Sequence, residues 1–196
     1  MNIQQILAQF EPICTPRLMM RKITRDDATQ LYKLTSSPEM TKYLHWYPSQ
    51  SLSAVKVVIE QRLTEYKTGE TRALVLAIAD LHTNQLVGNI AYKLTDRAGL
   101  TCEIGYWLGK EYWHQGYASE ALKACLHYGF TVLGFERIQC CCSPENIASW
   151  RVMERAGMQC EGILRNSYYL KGKLYDDKVY ALLKAEYQAL QAQATD

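Results

Sequence analysis

The order of apolar and polar positions divides this chain into short strands and amphipathic helices. In "TPRLMMRKI", residues 15–23, Leu18 and Met20 alternate with Met19, which predicts a first strand. Asp26 and Asp27 then open a short amphipathic helix to about Ser36, with acidic residues at its positive end. Residues 52–67 carry Val55, Val58, Ile59, Leu63 and Tyr66 at helical spacing and close on Gly69, a second helix. Two β-rich runs flank His82-Thr83-Asn84-Gln85, a hairpin by composition, and a strand over residues 101–108 adds to it. From Ala118 to about Thr131, Ala118, Ala121, Leu122, Cys125, Leu126 and Phe130 share one side, so this helix packs on the sheet. "ERIQCCC" is a short strand, residues 146–156 form a helix ended by Gly157, and two strands about Lys171-Gly172-Lys173 make a closing hairpin. Antiparallel strands first, a strand-helix-strand crossover in the middle and a final hairpin describe an α/β fold with a mixed sheet.

Composition narrows the class. The 196 residues, without repeats or Pro/Ser-rich linkers, suit one domain spanning 1–196 with a core of about residues 15–186. Hydrophobic residues at 48% and charged residues at 21% exclude disordered and fibrous classes. A net charge of +2 with no Lys/Arg run does not indicate a nucleic-acid partner. No apolar run approaches the ~20 residues of a membrane span, and "MNIQQILAQFEP" lacks the basic start and apolar core of a leader, so a cytoplasmic location without membrane attachment is expected. Seven cysteines, three of them consecutive (Cys140, Cys141, Cys142) and none in a C-x-x-C spacing, are expected to be buried free thiols rather than a disulfide set or a metal site.

The candidate chemistry centres on "EIGYWLGKEYWHQGYASEAL". A strand passes through a loop to Gln115-Gly116-Tyr117-Ala118, where a helix begins. Helix N-termini present amides with no internal partner and a partial positive charge, and the missing side chain of Gly116 lets an anion approach them. The bland alternative is a glycine that only eases a tight turn. Gly105, inside an otherwise strong strand, suggests a bulge or close backbone approach that parts this strand from the one over residues 136–142. Asn146 and Ser149 start the next helix at the lip of the same slot.

"YWHQGYASEAL" followed by "NIASWRVMERAGM" resembles the Gcn5-related N-acetyltransferase (GNAT) superfamily, with its R/Q-x-x-G-x-A/G, N-x-x-S and E-x-x-G-F/M pattern. "PICTPRLMMR" and the closing Gly172, Asp176 and Tyr180 resemble the branch of ribosomal-protein serine or alanine N-terminal acetyltransferases. The likeness covers nearly the whole chain. It implies a mixed, mostly antiparallel twisted sheet of about seven strands with a central crossover and about four helices. It also implies acetyl-CoA as co-substrate, no metal, and an amine acceptor; a homodimer is one assembly consistent with it. The diphosphate would lie on the amides of Gln115, Gly116, Tyr117, Ala118 and Ser119. The pantetheine arm would pair with Tyr106, Trp107 and Leu108, Asn146 would bond the arm, and Ser149 would face the sulfur. Trp113 stands at the family's R/Q position, so side-chain help from there is absent.

Transfer to an amine needs a neutral nitrogen, donors for the oxyanion and a proton for the thiolate. At pH 7 deprotonation costs about 1 kcal/mol for an α-amine and about 4.6 kcal/mol for lysine, so a modest base suits an α-amine. Glu103, at the start of the slot-lining strand, is the candidate base, or else an ordinary strand-end carboxylate. Ser149 is the candidate proton donor, or a first-turn hydroxyl. Tyr168 occupies the position where the ribosomal-protein-serine enzymes carry a glutamate, and either shapes the acceptor pocket or packs. His45, Trp46 and Tyr47 lie in a loop where the fold puts the acceptor entrance; they either contact substrate or plug the domain edge. Cys102 and Cys125 have no paired His and Asp in a recognisable motif, which leaves direct transfer as the simpler route. Three functions are therefore open: transfer to a protein or peptide N-terminus, transfer to a small amine such as a polyamine or an aminoglycoside, and a non-catalytic acyl-CoA-binding module. Glu39, the lone acidic residue between Leu34 and Val58, leans away from a polycationic acceptor.

Overall fold

The computed structural model describes residues 2–193. Helix α1 (Ile3–Gln9) starts in a capping box, in which Asn2 Oδ1 accepts from the Gln5 amide and the Gln5 side chain accepts from the Asn2 amide. Strands β1 (Ile13–Cys14) and β2 (Leu18–Arg21) replace the single strand expected over residues 15–23. Pro16 lacks an amide for the ladder, and Thr15 turns the chain by bonding Leu18 through both its backbone and its hydroxyl. A 3-10 turn (Arg25–Asp27) leads into α2 (Ala28–Thr35), and α3 (Leu52–Thr68) ends on Gly69.

Strands β3 (Ala73–Asp80) and β4 (Leu86–Leu94) form the first hairpin, followed by β5 (Thr101–Leu108), α4 (Tyr117–Thr131) and β6 (Arg137–Cys142). The chain continues through α5 (Ile147–Arg155), the hairpin of β7 (Gln159–Leu170) and β8 (Lys173–Leu183), and α6 (Lys184–Gln193). All eight strands join one sheet in the order β1-β2-β3-β4-β5-β6-β8-β7, antiparallel except for the β5–β6 pair. The described residues thus contain eight strands and six α-helices, more than the expected numbers of each, in the mixed α/β architecture expected.

One face of the sheet carries the larger apolar layer, where Leu122, Cys125, Leu126 and Phe130 of α4 meet Tyr92, Ile104 and Ile138. This layer reaches past the expected bounds of residues 15–186: Ile6 and Leu7 of α1 are buried, and so is Tyr187 of α6. A second apolar cluster joins Leu34 of α2 and Val55 and Ile59 of α3 to Ala77 and Leu86.

The feature that creates the site is a split. β4 pairs with β5 without interruption from Gly88↔Leu108 to Leu94↔Cys102, and all of β6 pairs with the second half of β8, from Cys142↔Lys178 to Arg137↔Leu183. β5 and β6 register with each other only from Thr101↔Arg137 to Glu103↔Gln139. Each strand follows its antiparallel neighbour, and sheet twist carries the two apart. The bulge expected at Gly105 is absent, because the β4–β5 register runs through Ala91↔Gly105 unbroken; a Cβ on Gly105 would meet nothing within 4 Å. No helix of the described residues is long and apolar enough to cross a membrane.

Candidate active site

Gly116 is the N-cap of α4 and sits in the left-handed region at φ +80°, which glycine adopts without strain. It supplies no side-chain cap, so the first amides of a fifteen-residue helix, those of Tyr117, Ala118 and Ser119, have no side-chain partner at the cap. Arg17, which the sequence reading did not single out, closes the turn. Its Nη1 donates to the Gln115 carbonyl at 3.0 Å, its Nε donates to Glu120 Oε2 at 2.7 Å, and its guanidinium lies 4.5 Å from the Tyr117 ring centre. Its Nη2 is 3.5 Å from where a Gly116 Cβ would stand. The Gln115 side chain turns away to the Glu111 carbonyl at 2.7 Å, and Trp113 Nε1 donates to the Leu108 carbonyl at 2.9 Å, holding the loop under the end of β5.

A cavity of ≈ 790 Å³ runs from this turn along the split, lined by Tyr106, Trp107 and Leu108, by Gly116 to Ser119, and by Asn146 and Ser149. Lys42, His114, Arg151 and Arg155 add basic groups to its wall. A second cavity of ≈ 630 Å³ lies on the other side of Tyr106 and is lined by His45, Trp46, Tyr47, Glu103, Gly105, Tyr168 and Asp177. Tyr43, Leu44, Tyr106, Trp107, Asn146 and Ser149 border both. At this junction the Tyr106 hydroxyl lies 3.0 Å from the Ser149 carbonyl, to which it donates, and 3.2 Å from Ser149 Oγ. Burial holds the Tyr106 phenol well above its ordinary pKa, so it stays a neutral hydroxyl. Asn146 caps α5 with its own side chain, Oδ1 accepting from the Ser149 amide at 3.3 Å.

Of the two carboxylates in the second cavity, Glu103 accepts from Gln139 Nε2 at 3.2 Å and from Cys141 Sγ at 3.8 Å. Asp177 accepts from Ser167 Oγ at 3.1 Å. Burial, helped by the charge of Glu103, raises its pKa from the ordinary aspartate value, opposed by the Ser167 hydrogen bond and by His45. Sequence reasoning missed Asp177. The signal was the pair Asp176-Asp177 in a strand: neighbours face opposite sides, so one of the two had to face the split. Asp176 faces away, accepting from the Asn166 amide at 2.9 Å.

The aromatic residues form a wall. Tyr168 stacks on Tyr175 with centroids 5.6 Å apart and meets His45 edge-on at 4.9 Å, while Trp46 meets Trp107 edge-on at 6.0 Å. Burial, then Asp177, push the Tyr168 phenol up to about 12. Tyr47 is largely exposed under Lys171 Nζ, which also donates to the Thr41 carbonyl at 2.7 Å and ties the hairpin tip to this loop. Cys102 and Cys125 are buried in the core. The expectation of uniformly buried thiols is corrected at Cys14 and Cys160, which are exposed, and at Cys141, which is partly so, since all three lie on strand faces the helices do not cover. Among the described residues no three His, Cys, Asp or Glu side chains are grouped to hold a metal ion.

Residues 17–159 match the family model of the acetyltransferase (GNAT) domain. The chain belongs to this family. It is 33% identical over 178 residues to the uncharacterised N-acetyltransferase p20 of Bacillus licheniformis, covering 91% of this chain and 99% of that one. It is 25% identical to the ribosomal-protein-serine acetyltransferase of Escherichia coli (strain K12), covering 84% of this chain and 91% of the relative. Among solved structures, the Microcin C7 self-immunity acetyltransferase MccE in complex with acetyl-CoA and AMP superposes with a TM-score of 0.75 at 25% identity, covering 86% of this chain and 93% of that one. The protein is an N-acetyltransferase of the GNAT family.

Proposed function

We propose that this chain, as one acetyltransferase domain over residues 1–196, moves the acetyl group of acetyl-CoA directly onto the α-amine of a protein or peptide. The observation that carries this reading is the meeting of two cavities of different character at Ser149 and Tyr106. The first cavity fits a thioester carrier. Its uncapped helix start and basic wall suit the diphosphate of a coenzyme, and the edge of β5 that β6 leaves beyond Glu103 suits an extended amide-bearing arm. MccE, whose structure holds acetyl-CoA, has the same fold. In this reading the amides of Tyr117, Ala118 and Ser119 hold the phosphates, Arg17 fixes the turn that presents them, and Tyr106, Trp107 and Leu108 guide the arm to the junction. There Asn146 positions Ser149.

Glu103 takes a proton from the acceptor nitrogen, directly or through a water, and Ser149, backed by the neutral Tyr106 hydroxyl, supplies the proton that the departing thiolate needs. A base of this kind matches an α-amine, and the ribosomal-protein-serine relative points to the same class of acceptor. A small cationic amine is the second reading. Glu103 and Asp177 in the cavity wall favour it, as does the likeness to MccE, a self-immunity acetyltransferase.

The test is a single-turnover reaction with acetyl-CoA and a mixed library of peptides and small amines, read by mass spectrometry and thiol release. Acetylated peptide N-termini are expected. Acetylation of small amines alone overturns the α-amine reading, and coenzyme binding without thiol release identifies a non-catalytic module.

A further inference from the structure

The second cavity contains more chemistry than a single base requires. Asp177 stands on its wall from β8, with Glu103 reaching in from β5. Ser167 Oγ donates to Asp177 Oδ2, and among the described residues no hydrogen-bond donor reaches Oδ1. The titratable groups facing Asp177 are Glu103 on β5, Cys141 and Cys142 on β6, Tyr168 on β7 and His45 of the loop. Of these, His45 is the one that can carry positive charge. Neither carboxylate forms an ion pair with a lysine or arginine of the described residues, and Arg62, which also lines the cavity, is paired with Glu65, so the charge of Glu103 and Asp177 is left to the cavity. Trp46, Trp107 and Tyr168 line the same space with ring faces and edges, a surrounding that attracts a cation once it is desolvated.

Resting on the acetyl-transfer reading above, we propose that Asp177, beside Glu103, receives the acceptor amine as its ammonium ion and takes its first proton. One N–H proton passes to Asp177 Oδ1, which becomes a carboxyl, and the nitrogen lone pair is freed. The lone pair forms the C–N bond to the acetyl carbon as the C–S bond breaks. The second N–H proton leaves the nitrogen for Glu103 or water and is relayed through solvent to Ser149 Oγ, which has delivered its own proton to the sulfur, so Glu103 and Ser149 end as they began. Asp177 then returns its proton to solvent. Burial and the nearby Glu103 charge make Asp177 a stronger proton acceptor than a surface carboxylate. Its carboxylate form is lost as pH falls through its raised pKa, so ammonium capture weakens in acid.

The probe is benzylammonium chloride, compared with uncharged benzyl alcohol, titrated into the full-length protein while following tryptophan emission, since Trp46 and Trp107 line the cavity. The ammonium ion is expected to bind about tenfold or more tightly than the alcohol near neutral pH, a preference that declines as pH falls. Asp177→Asn is expected to cut the preference to about threefold or less, Glu103→Gln to reduce it partly, and Asp177→Glu to retain most of it. Unchanged coenzyme A affinity and thermal melting exclude general unfolding, and if Asp177→Asn does not fold, Glu103→Gln and the pH series decide. Equal binding of alcohol and ammonium, binding of neither, or an undiminished preference in Asp177→Asn overturns the proposal. Failure to acetylate any peptide sinks the α-amine reading instead, and leaves the ammonium preference measurable.

Discussion

The two cavities that meet at Ser149 are built from different materials. The larger one presents main-chain amides of α4 behind a glycine, with arginine and lysine at its edge. The smaller one presents side chains almost throughout: two carboxylates, an imidazole, the Arg62 guanidinium and several large rings. Two helix starts border the same cleft and behave in opposite ways. α4 is left open by Gly116, whereas α5 is closed by its own Asn146, whose Oδ1 already holds the Ser149 amide. An open helix start suits recognition of an anion by main-chain amides, which tolerates side-chain drift, and nearby Trp113 props the loop by donating to the Leu108 carbonyl. A cavity walled by side chains can be retuned residue by residue.

The sharpest way to break this contrast is Gly116→Asp. It places a left-handed strain and a negative charge at the open helix start, and should raise KM for acetyl-CoA by about 10²–10³ while kcat at saturation changes little. An unchanged KM in steady-state assays would show that the α4 amides are not the anion site. Ser149→Ala at the junction should do the reverse, lowering kcat by about 10² with coenzyme affinity retained by calorimetry. If it keeps full rate, the thiolate obtains its proton elsewhere.

Glu103→Gln on the acceptor side should cost about tenfold near pH 7, with the loss shrinking as pH rises, because more of the acceptor is then neutral without help. A defect independent of pH would assign Glu103 to structure. Arg17→Gln should produce the smallest change, a rise of about three- to fivefold in KM for acetyl-CoA with kcat unaltered, since the guanidinium shapes the turn instead of the reacting atoms. Its partly exposed pair with Glu120 should contribute no more than about 1 kcal/mol to stability, measurable by denaturant unfolding.

Legibility followed the range of the interactions. The bounds of β5, the glycine entry to α4, the Asn146 start of α5 and both hairpins were visible because each depends on local periodicity or a cap. Helices α1 and α6 were not. Each is short and weakly patterned, and Ile6, Leu7 and Tyr187 become core residues only when the sheet is there to receive them. Gly105 misled for a similar reason: the slot arises from where β5 and β6 stop pairing, and no local irregularity marks it. The carboxylates of the second cavity do not come from the loop that holds Glu39. Glu39, the carboxylate counted there, accepts from Lys110 Nζ at 2.6 Å, whereas Glu103 and Asp177 come from strands 74 positions apart in sequence.

From the sequence alone came the family, through the resemblance of its two motifs, and the sheet with its crossover, because spacing along the backbone specifies turns, caps and alternating faces. Tertiary structure alone decided that β5 and β6 diverge after Glu103, that Arg17 reaches the glycine turn, and that Asp177 and Glu103 line one cavity. Those relations depend on sheet twist and on contacts between elements far apart in the chain, which no local pattern encodes.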